Sequence, residues 1–114
     1  MLDDDDVFRE ALSALFQDDG HTVRAYRSIA EMPPITELGT FAAVISDYHL
    51  SGGSEDGLSF AKRYHAIYSD VPIIMITAYS SGELEQAVAQ APYLSLMRKP
   101  IDYDELHQLL HDLS

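Results

Sequence analysis

The chain has 114 residues, 46% of them apolar, and a formal net charge of −12, with seven Lys and Arg against nineteen Asp and Glu. That is enough sequence for one domain with a sizeable core, and too few clustered cations to neutralise phosphates, which excludes nucleic acid and anionic membrane as expected ligands of this domain. There is no Cys, the N-terminus is acidic rather than basic, and no apolar run approaches the roughly 20 residues that span a bilayer; disulfides, secretion and membrane insertion are therefore set aside and a cytoplasmic location is expected.

Met1 and Leu2 are followed by four carboxylates, Asp3 to Asp6. From Val7 the pattern predicts a helix, with Val7, Phe8, Ala11, Leu12, Leu15 and Phe16 on one face and Gly20 as its stop. "HTVRAY" (His21 to Tyr26) alternates like a short strand. Pro33 and Pro34 break whatever helix Ser28 starts, so a short or interrupted second helix is expected. "FAAVIS" (Phe41 to Ser46) is apolar on both faces, as a buried parallel strand requires, and ends at Asp47. "YHLSGGSEDG" is a loop by its Gly and Ser content.

"LSFAKRYHAIYS" predicts a helix with Leu58, Ala61, Tyr64 and Tyr68 on one stripe. "VPIIMIT" (Val71 to Thr77) reads as another buried strand. In "SSGELEQAVAQA", Ser80 and Glu83 have capping-box spacing. "YLSLMR" reads as a strand ending at Lys99-Pro100. "DYDELHQLLHDL" closes the chain as a helix with Leu106, Leu109, Leu110 and Leu113 inward. Strands alternating with helices predict a parallel sheet covered on both faces.

Ligands of such a sheet bind beyond the carboxyl ends of its strands. Counting Met1–Leu2 as the end of a first strand, those positions hold Asp3 and Asp4, then Asp47, Thr77 and Lys99. Three converging carboxylates repel one another unless compensated. Lys99 offsets part of the charge, and a hard divalent ion with oxygen ligands and retained waters, Mg²⁺, suits the remainder. A carboxylate beside Mg²⁺, a Lys and a Thr hydroxyl is equipped to attack a phosphoryl group and hold the acyl phosphate.

On "LDDDD" opening a helix, "VISDYHL", "DGL" at Asp56 to Leu58, "PIIMITA" and "RKP", the chain resembles the receiver domain of two-component response regulators over essentially its whole length. The resemblance implies an α/β, flavodoxin-like (βα)5 doubly wound parallel sheet of order 2-1-3-4-5. It implies one receiver domain over residues 1–114, with no output domain, acting as a signalling switch rather than a turnover enzyme. Asp47 would be the phosphoacceptor, Asp4 a direct Mg²⁺ ligand, and Asp3 would act through water or by orienting the site. The backbone carbonyl of His49 would be a third ligand. Thr77 would contact the phosphoryl oxygens, Lys99 would neutralise them, and small Ala78 would leave them accessible. Pro100 resembles the family's cis proline.

The implied partners are a histidine kinase or phosphotransfer protein upstream and an output domain or protein downstream. The fourth helix, fifth strand and fifth helix, with Glu83, Glu85, Asp104 and Glu105, form a candidate partner or homodimer face.

Three features depart from the pattern. The loop after Asp47 is about two residues longer than the family's common form and has Ser51 where Pro is usual. Leu96 stands where an aromatic switch residue is common. In the 2-1-3-4-5 order the first strand is central, and Met1–Leu2 cannot fill it; the expectation is further apolar residues upstream or a sheet weakened at its middle.

A pseudo-receiver acting as a phosphorylation-independent interaction module is the alternative reading. An aspartyl-phosphate hydrolase ranks low, because His49 stands where a second acid would be needed. Simpler readings hold elsewhere. Asp5 and Asp6 favour the helix N-terminus. His107 and His111 are surface residues rather than zinc ligands. Tyr64 and Tyr68 pack a helix.

Overall fold

A computed structural model of the chain describes residues 1–48, 56–78 and 82–113. Among the described residues three regular parallel strands, β1 (Val44–Asp47), β2 (Ile73–Thr77) and β3 (Leu94–Arg98), are hydrogen-bonded in that order. Every residue of β1 and β2 is buried. Their continuous apolar runs are what a sheet covered on both faces selects. Five helices accompany them: α1 (Asp6–Asp18), α2 (Ile35–Leu38), α3 (Gly57–Ile67), α4 (Gly82–Ala89) and α5 (Tyr103–Leu113).

The sheet divides the interior into two cores. On one side Leu38 of α2 and Phe60, Ala61 and Tyr64 of α3 pack with Ile73, Met75 and Leu94. On the other, Leu12 and Phe16 of α1 and Leu106 of α5 pack with Ile45, Ile74 and Ile76. Fully burying a side chain of this size contributes about 1.5–3 kcal/mol, so these layers hold the strand ends in place.

Helix α1 starts where Asp5 caps it, its carboxylate accepting the Phe8 N–H, and stops before Gly20, whose φ of +90° favours glycine. Its buried stripe is narrower than the sequence predicts. Leu12 and Phe16 are buried, but Val7 is 79% exposed and Leu15 43%. Phe8, Leu12 and Phe16 recur every four residues; Val7 and Leu15 lie on the neighbouring stripe, beyond the reach of the sheet. Leu113 at the end of α5 is likewise exposed rather than inward.

The second helical region is interrupted, as its prolines require. A 3₁₀ turn spans Ile29–Glu31, and α2 is one turn that begins after Pro34. Two tyrosines of the α3 region fasten it. Tyr64 donates its hydroxyl to the Gly39 carbonyl at 2.9 Å, and the Tyr68 oxygen accepts the Gly39 N–H at 3.0 Å.

The first two predicted strands are reduced to isolated pairings. Leu2 bridges in parallel to Tyr26 on one side and to Ser46 on the other. Leu2 donates to the Ile45 carbonyl and accepts from Asp47, while Asp3 donates to Tyr26 and Tyr26 to Met1. This lateral sequence, with Tyr26 outside Leu2 and then β1, β2 and β3, reproduces the expected 2-1-3-4-5 order. His21–Tyr26 does not form a regular strand; among the described residues its pairing runs through the bonds of Arg24 and Tyr26 to Met1–Asp3. The predicted strand at Phe41–Ser46 likewise begins only at Val44. The capping position Ser80 lies outside the described residues. No helix among the described residues is long and apolar enough to cross a membrane.

Candidate functional site

The single-residue pairing at Leu2 is what assembles the site. Because Leu2 stands level with Ser46 in a parallel bridge, the next residue of each segment, Asp3 and Asp47, emerges at the same edge of the sheet. The Asp47 N–H donates to the Leu2 carbonyl at 2.8 Å, which fixes that register. Asp3 is 1% exposed and Asp47 6%, while Asp4 is half-buried at the rim. One carboxylate oxygen from each of Asp3, Asp4 and Asp47 lies within 4.8 Å of the others.

Lys99 reaches this cluster from the end of β3. Its ammonium is 3.2 Å from Asp3 Oδ2 and 3.3 Å from Asp47 Oδ2, and 4.5 Å above the Phe8 ring, a cation–π distance. Its backbone N–H donates to the Thr77 carbonyl at 2.8 Å, which brings the ends of β2 and β3 together. Thr77 is fully buried and Ala78 exposed beside it. The Lys99-Pro100 peptide is cis, as the resemblance implied.

The electrostatics follow from burial. Desolvation raises the Asp3 carboxyl above its ordinary value of 3.8; the nearby Asp47 charge adds to the rise, and the Asp5 N–H and Lys99 oppose it. Burial opposes the Lys99 ammonium, but Asp3 and Asp47 more than compensate and its pKa is raised. One ammonium therefore faces three carboxylates. Asp3 Oδ2 is buried, and Lys99 is its ionic partner. An all-oxygen cluster with more carboxylates than its one ammonium can neutralise fits a hard divalent cation.

The structure brings Asp3, Asp4, Asp47 and Lys99 together and places Thr77 and Ala78 at the neighbouring strand end. His49 lies outside the described residues, as does Ser51. Leu96 is half-buried in β3, packed against the core that contains Phe60 and Tyr64. His107 and His111 join no metal-competent cluster among the described residues; the nearest acid to His107 is Asp19, at 3.7 Å.

Three supporting residues escape the sequence reading. Arg9 donates from Nη1 to the Asp3 carbonyl at 2.9 Å and pairs with Asp6 at 2.6 Å, clamping the acidic turn onto α1. Phe8 supplies the ring beneath Lys99. Gly57 is the third. Its N–H donates to Tyr48, and a Cβ there would overlap the Asp47 carbonyl oxygen. The start of α3 thus rests directly on the backbone of Asp47, and the Asp56 cap, which accepts the Ser59 N–H, sets where that helix begins. The one sequence signal for this contact is the Asp56-Gly57 pair.

Comparison with known proteins agrees with this geometry. The family model for the response regulator receiver domain matches residues 1–111. The transcriptional regulatory protein ZraR of Salmonella typhimurium is 30% identical over 111 residues, covering 96% of this chain and 24% of its own length. The chain thus spans about a quarter of the length of such curated relatives. The chemotaxis protein CheY4 of Vibrio cholerae superposes with a TM-score of 0.83 at 24% identity, covering 99% of this chain and 94% of that one. A response regulator protein from Burkholderia pseudomallei, solved with a phosphorylated aspartic acid, a calcium ion and citrate, superposes with a TM-score of 0.79 at 26% identity over 96% of this chain and 63% of that one. With its parallel sheet, its acidic cluster at the strand ends and a family match over nearly its full length, the chain belongs to the response regulator receiver domains.

Proposed function

We propose that this receiver domain is a phosphoacceptor switch in which Asp47 takes a phosphoryl group from a histidine kinase or a phosphotransfer protein. The observation that carries the reading is the convergence of Asp3, Asp4 and Asp47 with Lys99 at one edge of the sheet. The Burkholderia relative, whose structure holds a phosphorylated aspartic acid and a calcium ion, supports it.

In the proposed reaction an Asp47 carboxylate oxygen attacks phosphorus in line with the leaving group. The new O–P bond forms as the N–P bond of a phosphohistidine breaks, and the imidazole leaves with a proton from solvent. Little covalent chemistry is asked of the protein, so positioning and charge neutralisation dominate. Lys99 already sits 3.3 Å from Asp47 and neutralises the oxygens that gather charge. Thr77 is the proposed hydroxyl contact to those oxygens, and Ala78 leaves their path open.

Asp3, Asp4, Asp47 and the His49 carbonyl are the proposed holders of Mg²⁺, which when bound stabilises charge on the phosphoryl oxygens. The more exposed Asp4 suits direct coordination, and buried Asp3 suits orienting the site. Autodephosphorylation by water would return Asp47 to its starting state. Phosphorylation would then shift the population of partner-binding states, with an output domain or protein as the reader and α4, β3 and α5 as the proposed face, a homodimer included. The proposed setting is the cytoplasm.

Incubation with Mg²⁺ and acetyl phosphate, followed by intact mass measurement, tests the reading. One added phosphoryl group is expected, lost in Asp47→Asn and without Mg²⁺. Failure to incorporate it from acetyl phosphate, phosphoramidate and a phosphorylated kinase domain alike would leave the phosphorylation-independent interaction module as the better account.

A further inference from the structure

Lys99 has one contact that neutralising the acids does not require. Its ammonium stands 4.5 Å from the centroid of the Phe8 ring, besides lying 3.2 Å from Asp3 Oδ2 and 3.3 Å from Asp47 Oδ2. The Lys99 side chain is only 20% exposed. An ammonium over an aromatic face, and largely out of water, is drawn to the ring more strongly than at an open surface.

Both partners are fixed from behind. Phe8 stands in the first turn of α1 and donates its N–H to the Asp5 carboxylate at 3.1 Å. Its half-buried ring packs against the core that holds Leu12 and Phe16. The neighbouring Arg9 is tied to the Asp3 carbonyl at 2.9 Å, so the ring moves with the segment that carries the acids. Lys99 is held at its root by the 2.8 Å bond from its N–H to the Thr77 carbonyl. Between root and head lies a flexible aliphatic stem. The ring restricts the freedom of that stem at its far end.

The kind of contact matters as much as its strength. A carboxylate oxygen holds one N–H along a preferred direction, whereas a ring face attracts the charge as a whole. The ammonium can therefore turn its N–H groups from one oxygen to another without leaving the ring. Held by carboxylates alone, it would lose part of its hold whenever an Asp47 oxygen became engaged elsewhere.

We propose that Phe8 is a positioning residue for phosphoryl transfer: its ring holds the Lys99 ammonium at the acid cluster while the N–H groups turn from the Asp47 carboxylate to the incoming phosphoryl oxygens. The proposal rests on the reading of Asp47 as phosphoacceptor. It gives the ring a task that an aliphatic side chain of similar bulk could not perform.

The test replaces Phe8 in the full chain by mono-, di- and trifluorinated phenylalanine, which drain charge from the ring face at nearly constant shape, and by Phe8→Leu. Phosphoryl uptake from acetyl phosphate with Mg²⁺ is followed by intact mass. The rate is expected to fall stepwise with fluorination, reaching about five- to tenfold in Phe8→Leu, while the fluorinated chains keep the wild-type Tm and Mg²⁺ affinity. In a Lys99→Ala background the same series should be flat, since the partner of the ring is gone. A second readout needs no phosphoryl group. The chain has two lysines, and Lys62 is exposed, so selective labelling separates their signals. The Lys99 ε-methylene protons are expected upfield of those of Lys62, and to lose that shift in Phe8→Leu. A wild-type chain that is phosphorylated while the fluorinated series stays flat would overturn the role of Phe8 alone, as would Lys99 protons that coincide with those of Lys62. A wild-type chain that takes up no phosphoryl group from any donor would overturn the phosphoacceptor reading and this role with it.

Discussion

The two ends of the same sheet are finished differently. At the carboxyl ends of the strands, buried Asp3 and Asp47 are each tied to the half-buried Lys99 within 3.3 Å, and Gly57 is pressed on the Asp47 backbone. At the amino ends, residues 21–24 and 41–44 face each other across a cavity, and few polar contacts bind them. Leu2 is the hinge between these regions, since one residue supplies both the register of the acids and the last rung of the ladder. The contrast teaches that chemistry at one end of a sheet needs only a short, correctly registered stretch of pairing.

The largest effect expected from breaking the chemical end comes from Gly57→Ala. The added methyl meets the Asp47 carbonyl with no flexible side chain to yield, so the cost should be about 3 kcal/mol or more in a urea melt. Phosphoryl uptake at Asp47 should fall with it, because the backbone that carries the carboxylate must move.

Lys99→Ala comes next. It leaves Asp3 and Asp47 facing each other without a cation and should cost about 1–3 kcal/mol. Its signature is a larger loss in phosphorylation rate than in stability. Arg9→Ala removes one bond to the Asp3 carbonyl and a half-exposed ion pair. About 1 kcal/mol is expected, with weaker Mg²⁺ binding by titration and an unchanged fold.

Asp3→Asn should act in the opposite sense on stability. Burial raises the Asp3 pKa in the folded chain, so the folded state holds that proton more tightly than the unfolded one. The associated stability is present below the unfolded value of 3.8 and is lost as pH rises through the raised folded value. In EDTA at pH 7 the Asn variant should therefore melt a few degrees higher, by about 2–4 °C, while binding Mg²⁺ more weakly. A lower melting point for the variant under those conditions would show that the Lys99 pairing outweighs desolvation. The smallest effect sharpens the other end. Ala43→Val adds volume to a wall of the cavity and should gain up to about 1 kcal/mol, with no change in phosphorylation.

The acids were legible because each follows an apolar run. A strand that is apolar on both faces must end at the rim, so Asp47, Thr77 and Lys99 announce their own positions, and Asp3 and Asp4 join them once Leu2 is read as a strand end. The helices were legible from periodicity, although periodicity overstated their buried faces at Val7, Leu15 and Leu113. The alternation in His21–Tyr26 reports side chains suited to a strand, but not how much of its backbone pairs with a neighbour. Arg9 and Gly57 escaped for a different reason. Both act on backbone atoms of Asp3 and Asp47, and no pattern of side chains in the sequence encodes a contact with a distant carbonyl.

The amide of Lys99 and the carbonyl of Thr77, 2.8 Å apart, deserve a mechanical reading. They form a crossbar between two strand tips, and the two side chains nearest the proposed phosphoryl oxygens ride on its ends. A pull on one is a pull on the other. Since Ile101 and Tyr103 follow Lys99 within four residues and pack with α1 and α5, a fluorine label on Tyr103 should register an event at Thr77, on the far side of the bar.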